Sequence, residues 1–339
     1  MTSPENLTFI SQGTTCAAWL FRTTSDALTG PAGRPIVVMA HGLGGTKDSG
    51  LAPFAEAFAA AGLDALVFDY RGFGASEGQP RQTVSLAGQL ADWSAAIGAA
   101  GRLDGVDHGR IVLWGVSLAG GHVLNAAADR DGIAAVVALV PMVDGLAAAV
   151  HATKSHTPRE LARATGLGIA SRVSTLRGRG AKMMPVVARP GEVGALTLPG
   201  ALEDMLSVAG PTWRNEVAAD VSLELGSRAP AKAASRIKAP VLVQIADFDQ
   251  SAPPHASAKA AFAARAEVRH YPGDHFDLFS GKPFHEAAVK HAVSFLVRHL
   301  GQPLVEEVAQ QPSRQRPDDF ETGASAPSST NMESESTHG

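Results

Sequence analysis

"RIVLWGVSLAGGHVLNAAA", residues 110–128, places a single serine where two patterns meet. Residues 110–114 are a short apolar run of the kind that forms a buried strand, and residues 117–128 are the small and straight-chain residues that open a helix. A chain that passes from strand to helix this abruptly holds the residue at the junction in strained backbone geometry, with room for small side chains only. Gly115, Ala119 and Gly120 meet that demand. The turn would lift the Ser117 hydroxyl clear of the strand and aim the N–H groups of the following helix at it. The competing reading is a plain strand-to-helix turn whose serine caps the helix, so the rest of the chain must decide.

Working outward, similar apolar runs recur at 35–40 (PIVVMA), 64–70 (DALVFDY), 133–140 (IAAVVALV), 240–246 (PVLVQIA) and 266–272 (AEVRHYP), separated by alanine-rich stretches of helix length. Continuous runs suit strands covered on both faces, and their alternation with helices predicts an α/β fold with a doubly wound, mostly parallel sheet. Before them, "LTFISQGTTCAAWLFRT" turns at Gly13 and predicts an antiparallel hairpin at a sheet edge. Between "LVPMVDG" and "RIKAPVLVQIA" no run resembles a core strand, and so long a structureless loop is foreign to a compact domain. The expected organisation is a core over 1–142, a mainly helical cap inserted at 143–235, a second core part over 236–302 and a polar, disordered tail at 303–339.

Composition narrows the function classes. At 339 residues, 45% hydrophobic and 18% charged, with net charge −4, the chain can bury a sizeable core but has no positive field for nucleic acid or an anionic membrane. A lone cysteine, Cys16, rules out an internal disulfide framework and a cysteine-built metal site. No basic, apolar leader opens the sequence and no run nears the ~18 residues of a membrane span, so a cytoplasmic protein with a small-molecule partner is expected, with room for a homodimer. The sequon at Asn6 is read as chance for the same reason.

A serine hydroxyl is a weak nucleophile at neutral pH; it needs a base to take its proton and an acid to hold that base in the right tautomer. Taken with what lies around it, "GVSLAG" resembles the nucleophile elbow of the α/β-hydrolase superfamily, in the variant with alanine for the second glycine. The resemblance covers residues 35–300 and implies the chain order serine, acid, histidine. His275, in "YPGDHFDLF" between the last strand and the last helix, resembles the base; His270 lies within the strand and His285 opens the helix. In "IADFDQSAPP" Asp249 stands four residues before Pro253 and matches the acid, with Asp247 second and Asp144, one strand earlier, third. The strand ending in His41-Gly42-Leu43-Gly44-Gly45 resembles the His-Gly loop whose backbone N–H, here of Leu43, forms an oxyanion hole with the N–H of Leu118. His41 itself reads as structural, and Asp69, Arg71 and Ser76 in "DYRGFGASEG" as braces for the site.

The resemblance implies acyl transfer through Ser117, with no metal and no organic cofactor, on a small to medium ester. Leu43, Leu118 and the cap residues Met183, Met184, Val186, Val187, Leu198 and Met205 are candidates for an apolar substrate pocket, with Leu43, Met183 and Met184 foremost. The alternatives are an aminopeptidase or amidase, which would hold a substrate ammonium with Glu192, Glu203 or Asp204, and a non-catalytic binding protein on the same fold.

Overall fold

The structure is a computed structural model that describes residues 3–153, 155–226 and 231–301. The expected tail at 303–339 lies outside the described residues. Eight strands form one sheet in the order β1-β2-β4-β3-β5-β6-β9-β10. They are β1 (Glu5–Ser11), β2 (Thr14–Phe21), β3 (Arg34–Ala40), β4 (Asp64–Phe68), β5 (Val106–Val116), β6 (Ile133–Leu139), β9 (Val241–Ala246) and β10 (Glu267–Tyr271). The first two strands run antiparallel to their neighbours and all other pairings are parallel.

Burial explains the two kinds of strand pattern. β4 and β9 are buried at every residue, because helices cover both faces of the central sheet, and so their sequences carry no polar alternation. β1 and β2 stand at the edge and alternate along their length. On one face lie α1 (Ala52–Ala60) and α10 (His285–Leu300), in contact with each other; on the other α2 (Leu86–Ala100), α3 (Leu118–Ala127) and α9 (Pro254–Ala263) pack, α2 against α3. Trp93, Trp114, Phe54, Phe58 and Phe68 fill the layers between.

Between β6 and β9 the chain leaves the sheet. It forms α4 (Gly145–Ala152), α5 (Pro158–Leu176), α6 (Ala201–Val208), α7 (Val221–Gly226) and α8 (Ala231–Ala234), with β7 (Met183–Met184) and β8 (Val217–Ala218) paired in a two-stranded ribbon. α5 starts with a capping box, Thr157 bonded to Glu160 in both directions. Among the described residues no helix is long and apolar enough to cross a membrane.

Candidate active site

The parallel strands present their carboxyl ends to one side of the sheet, where the crevices of doubly wound folds collect ligands. Ser117 leaves β5 there with φ 58° and ψ −119°, a region that glycine occupies freely and other residues do not. Its side chain makes no bond to the helix it precedes, so the capping explanation fails and the hydroxyl is uncommitted to α3. The backbone is held from both directions: Ser117 N donates to Leu139 O at 2.9 Å, and Ser117 O accepts from Met142 N at 2.9 Å. A Cβ on Gly115 would collide with the carbonyl of Ala119, and one on Gly120 would lie 2.8 Å from Pro141 Cβ. The small residues around Ser117 are therefore demanded by the helix backbone and by the end of β6.

His275 follows β10, and its Nδ1 donates to Asp249 Oδ2 at 2.7 Å. A carboxylate only accepts, so Nδ1 carries the proton and Nε2 of the neutral ring is left as the basic nitrogen. Asp249 follows β9 and is itself fixed, its Oδ1 accepting from Ser251 N at 2.8 Å and Ala252 N at 2.6 Å. Asp274 ties the two loops together, accepting from His275 N at 2.7 Å and from Gln250 N and Nε2 at 3.0 and 3.1 Å. Burial opposes charging His275, but the Asp249 charge and hydrogen bond, with a contribution from Asp274, outweigh it and hold the imidazole above its ordinary value.

The other candidates go elsewhere. Asp247 bonds His270 at 2.6 Å in a second Asp–His pair, with side chains 40% and 54% exposed against 2% and 5% for Asp249 and His275. Asp144 caps α4, accepting from Ala147 N at 2.9 Å. His285 opens α10 and donates from Nδ1 to Leu278 O at 3.1 Å. His41 is buried and stacked on Phe279, and burial, together with the nearby His275, pushes it down to about 4, so its ring stays neutral.

The His-Gly loop runs close beside Ser117. A Cβ on Gly42 would lie 2.7 Å from Ser117 Cβ and 3.2 Å from its Oγ, so only glycine lets this backbone approach. Leu118 is the first residue of α3, where N–H groups have no acceptor within the helix. Asp69 anchors the loop through Lys47 N at 2.6 Å and Lys47 Nζ at 2.7 Å, and takes Ala75 N at 2.9 Å. Ser76 ties this loop to β2 through Ala17 N. Arg71 clamps Asp92 instead, bracing the next helix.

Leu43, Ser117 and Leu118 line a cavity of about 150 Å³ together with Gln250 and Ser251, the residues after Asp249. Residues of the 143–235 segment supply its opposite wall, among them Ala148, His156, Thr197 and Leu198, and most of these also border a second cavity of about 300 Å³ within that segment. Met183 and Met184 do not line the Ser117 cavity, contrary to expectation. The β7–β8 pairing turns Met183 outward, 36% exposed, onto a surface hollow, and Met184 inward to the larger cavity. Val186 packs against Gly44, and Val187 and Met205 are core. Glu203 pairs with Arg189 and Asp204 with Lys282, while Glu192 borders the larger cavity and accepts from Arg189 N. The sequence reading missed Met142, His156, Thr197, Gln250 and Ser251. Only the last two carried a signal, their adjacency to Asp249.

The chain matches the family described as alpha/beta hydrolase fold over residues 35–282. It is 38% identical over 299 residues to the quorum-quenching protein AidA of Acinetobacter baumannii, covering 87% of this chain and 95% of that protein. It is 30% identical to an uncharacterized 31.7 kDa protein of Escherichia coli, over 75% of this chain and 87% of that one. The crystal structure of the alpha/beta hydrolase GrgF from Penicillium superposes with a TM-score of 0.72 at 24% identity, covering 88% of this chain and 99% of that one.

Proposed function

Because the chain belongs to the alpha/beta hydrolase fold family, we propose that it is a serine hydrolase that cleaves carboxylic esters of largely apolar small molecules through an acyl-enzyme on Ser117. The observation that carries the reading is the buried Asp249–His275 hydrogen bond, which leaves Nε2 as the base at the same sheet end as the strained Ser117. In the first half-reaction Ser117 Oγ–H gives its proton to His275 Nε2 as Oγ bonds the ester carbon. The carbonyl oxygen takes the electron pair and is met by the N–H groups of Leu43 and Leu118. The carbon–oxygen bond to the leaving alcohol then breaks, and the imidazolium returns the proton to that alcohol. A water, deprotonated by His275, repeats the sequence on the acyl-enzyme and frees the acid.

Residues 143–235 act as the cap that encloses the substrate, since they supply one wall of the Ser117 cavity. An ester fits the wall beside Ser117 better than an amine-bearing peptide: among the described residues no carboxylate lines that cavity, Glu203 and Asp204 are engaged by Arg189 and Lys282, and Glu192 borders the other cavity. The test is a panel of p-nitrophenyl esters of rising chain length, small open-chain and cyclic esters, and aminoacyl anilides. Ester turnover that vanishes in Ser117→Ala is the expected result. Turnover that survives Ser117→Ala, or turnover of anilides alone, refutes the proposal.

A further inference from the structure

The two cavities meet at a shared wall. Among the described residues that line both, His156 and Thr197 alone carry polar side chains; the others are Met142, Leu225 and alanines. These two are bonded to each other, His156 Nε2 lying 2.7 Å from Thr197 Oγ1, while His156 Nδ1 lies 2.9 Å from Ala152 O.

While the His156 ring is neutral, elementary chemistry fixes the direction of these bonds. A backbone carbonyl can only accept, so His156 Nδ1 carries the ring proton and donates to Ala152 O. In the neutral ring Nε2 is then an acceptor, and the Thr197 hydroxyl must donate to it. With its proton committed to the neutral ring of His156, Thr197 Oγ1 offers the cavity lone pairs and no hydrogen. An otherwise apolar junction therefore presents one oriented acceptor, which a hydrocarbon leaves unused and a keto oxygen would repel, but which an O–H or N–H group satisfies.

We propose that Thr197, oriented by His156, is a specificity-determining residue that selects substrates carrying a hydrogen-bond donor, a hydroxyl or an N–H, on the chain that passes from the Ser117 cavity into the larger one. The assignment deepens the ester-hydrolase reading and rests on it for where the reacting carbonyl sits. It does not restate that reading, because an acyl-enzyme mechanism is indifferent to a donor several bonds from the ester.

The experiment compares ethyl decanoate with ethyl decanoates bearing a hydroxyl at carbon 3, 5 or 7 and with the matching keto esters. In the wild type one hydroxy ester is expected to exceed both its keto counterpart and plain decanoate in kcat/KM by about tenfold, the worth of one well-made buried hydrogen bond. In Thr197→Val, which keeps the shape and loses the hydroxyl, the hydroxy-to-plain ratio falls to about one, and Thr197→Ser restores it. Binding of the same series to Ser117→Ala, measured by calorimetry, separates the two claims. A hydroxyl preference in binding without ester turnover by the wild type leaves Thr197's role standing and removes the ester-hydrolase reading. Equal preference for keto and hydroxy esters, or a hydroxyl preference untouched by Thr197→Val, overturns the assignment to Thr197.

Discussion

The strain at Ser117 can be weighed against an ordinary helix position by exchanging only a methyl group. Ser117→Ala and Ser117→Gly both remove the hydroxyl, so their difference isolates what a Cβ costs at φ 58° and ψ −119°. A non-glycine residue in such a region costs about 1–3 kcal/mol, of which we take about 2 as the central figure. Against this, glycine gives the unfolded chain extra freedom worth about 0.7 kcal/mol. Losing half the burial of one methyl costs about 0.4 kcal/mol more. The balance predicts Ser117→Gly more stable than Ser117→Ala by about 1 kcal/mol. At Ala126, an unstrained position in the last turn of α3, replacement by glycine should instead destabilise, by up to about 1 kcal/mol, the helix-interior penalty. Urea denaturation of the two Ser117 variants, with wild type and Ala126→Gly as the control pair, reads the sign directly. A Ser117→Gly protein no more stable than Ser117→Ala would refute the claim that position 117 is strained.

Four further outcomes follow from the site. Asp249→Asn leaves His275 without the acceptor that fixes its tautomer and should lower kcat by about 10³–10⁴-fold, while Asp247→Asn, which disturbs only an exposed pair, should change it less than about threefold; comparable losses would remove the distinction. The proposed mechanism needs neutral His275, whose pKa is raised, so kcat/KM should fall with decreasing pH with a midpoint above the ordinary value of about 6.5; a midpoint below it contradicts the assignment. His41 is held near 4, so the unfolded chain binds a proton that the folded one refuses between about pH 6.5 and 4; stability should drop by about 3 kcal/mol over that window, and His41→Gln should flatten the drop in acid denaturation. Gly42→Ala places a Cβ against Ser117 and should abolish turnover at a stability cost of about 1–3 kcal/mol, measured by thermal unfolding beside activity.

The sheet was legible because its signal is local. Strands buried on both faces must be apolar throughout, and each of the six core runs lies on one of the parallel strands β3, β4, β5, β6, β9 and β10. The elbow was legible for a similar reason, since the clash that excludes larger residues at Gly115 involves a carbonyl only four residues away. The far wall of the Ser117 cavity was not. His156 and Thr197 are 41 residues apart, and neither sits in a pattern that marks it; they meet because the segment between β6 and β9 folds back over Ser117. The methionines looked the better lining on hydrophobicity alone, but a two-residue ribbon decides which way each side chain points, and no periodicity can be read from two residues.

The two aspartates after β9 show where the boundary between sequence and structure falls. Asp247 and Asp249 are two residues apart, each next to the end of β9, and each has a histidine partner at 2.6–2.7 Å. Bond length does not separate them. Surroundings do: the Asp247–His270 pair is open to water, where an ion pair contributes little and does not fix an imidazole. Asp249 is buried, its second oxygen is held by two backbone N–H groups, and its loop is tied through Asp274 to the loop that carries His275. A carboxylate so held cannot rotate away when the imidazole takes up a proton, and in low dielectric its charge acts at full strength on that proton. The property that sets Asp249 apart from Asp247 is therefore the desolvation of its site, which the chain creates by bringing together the loops that follow β9 and β10.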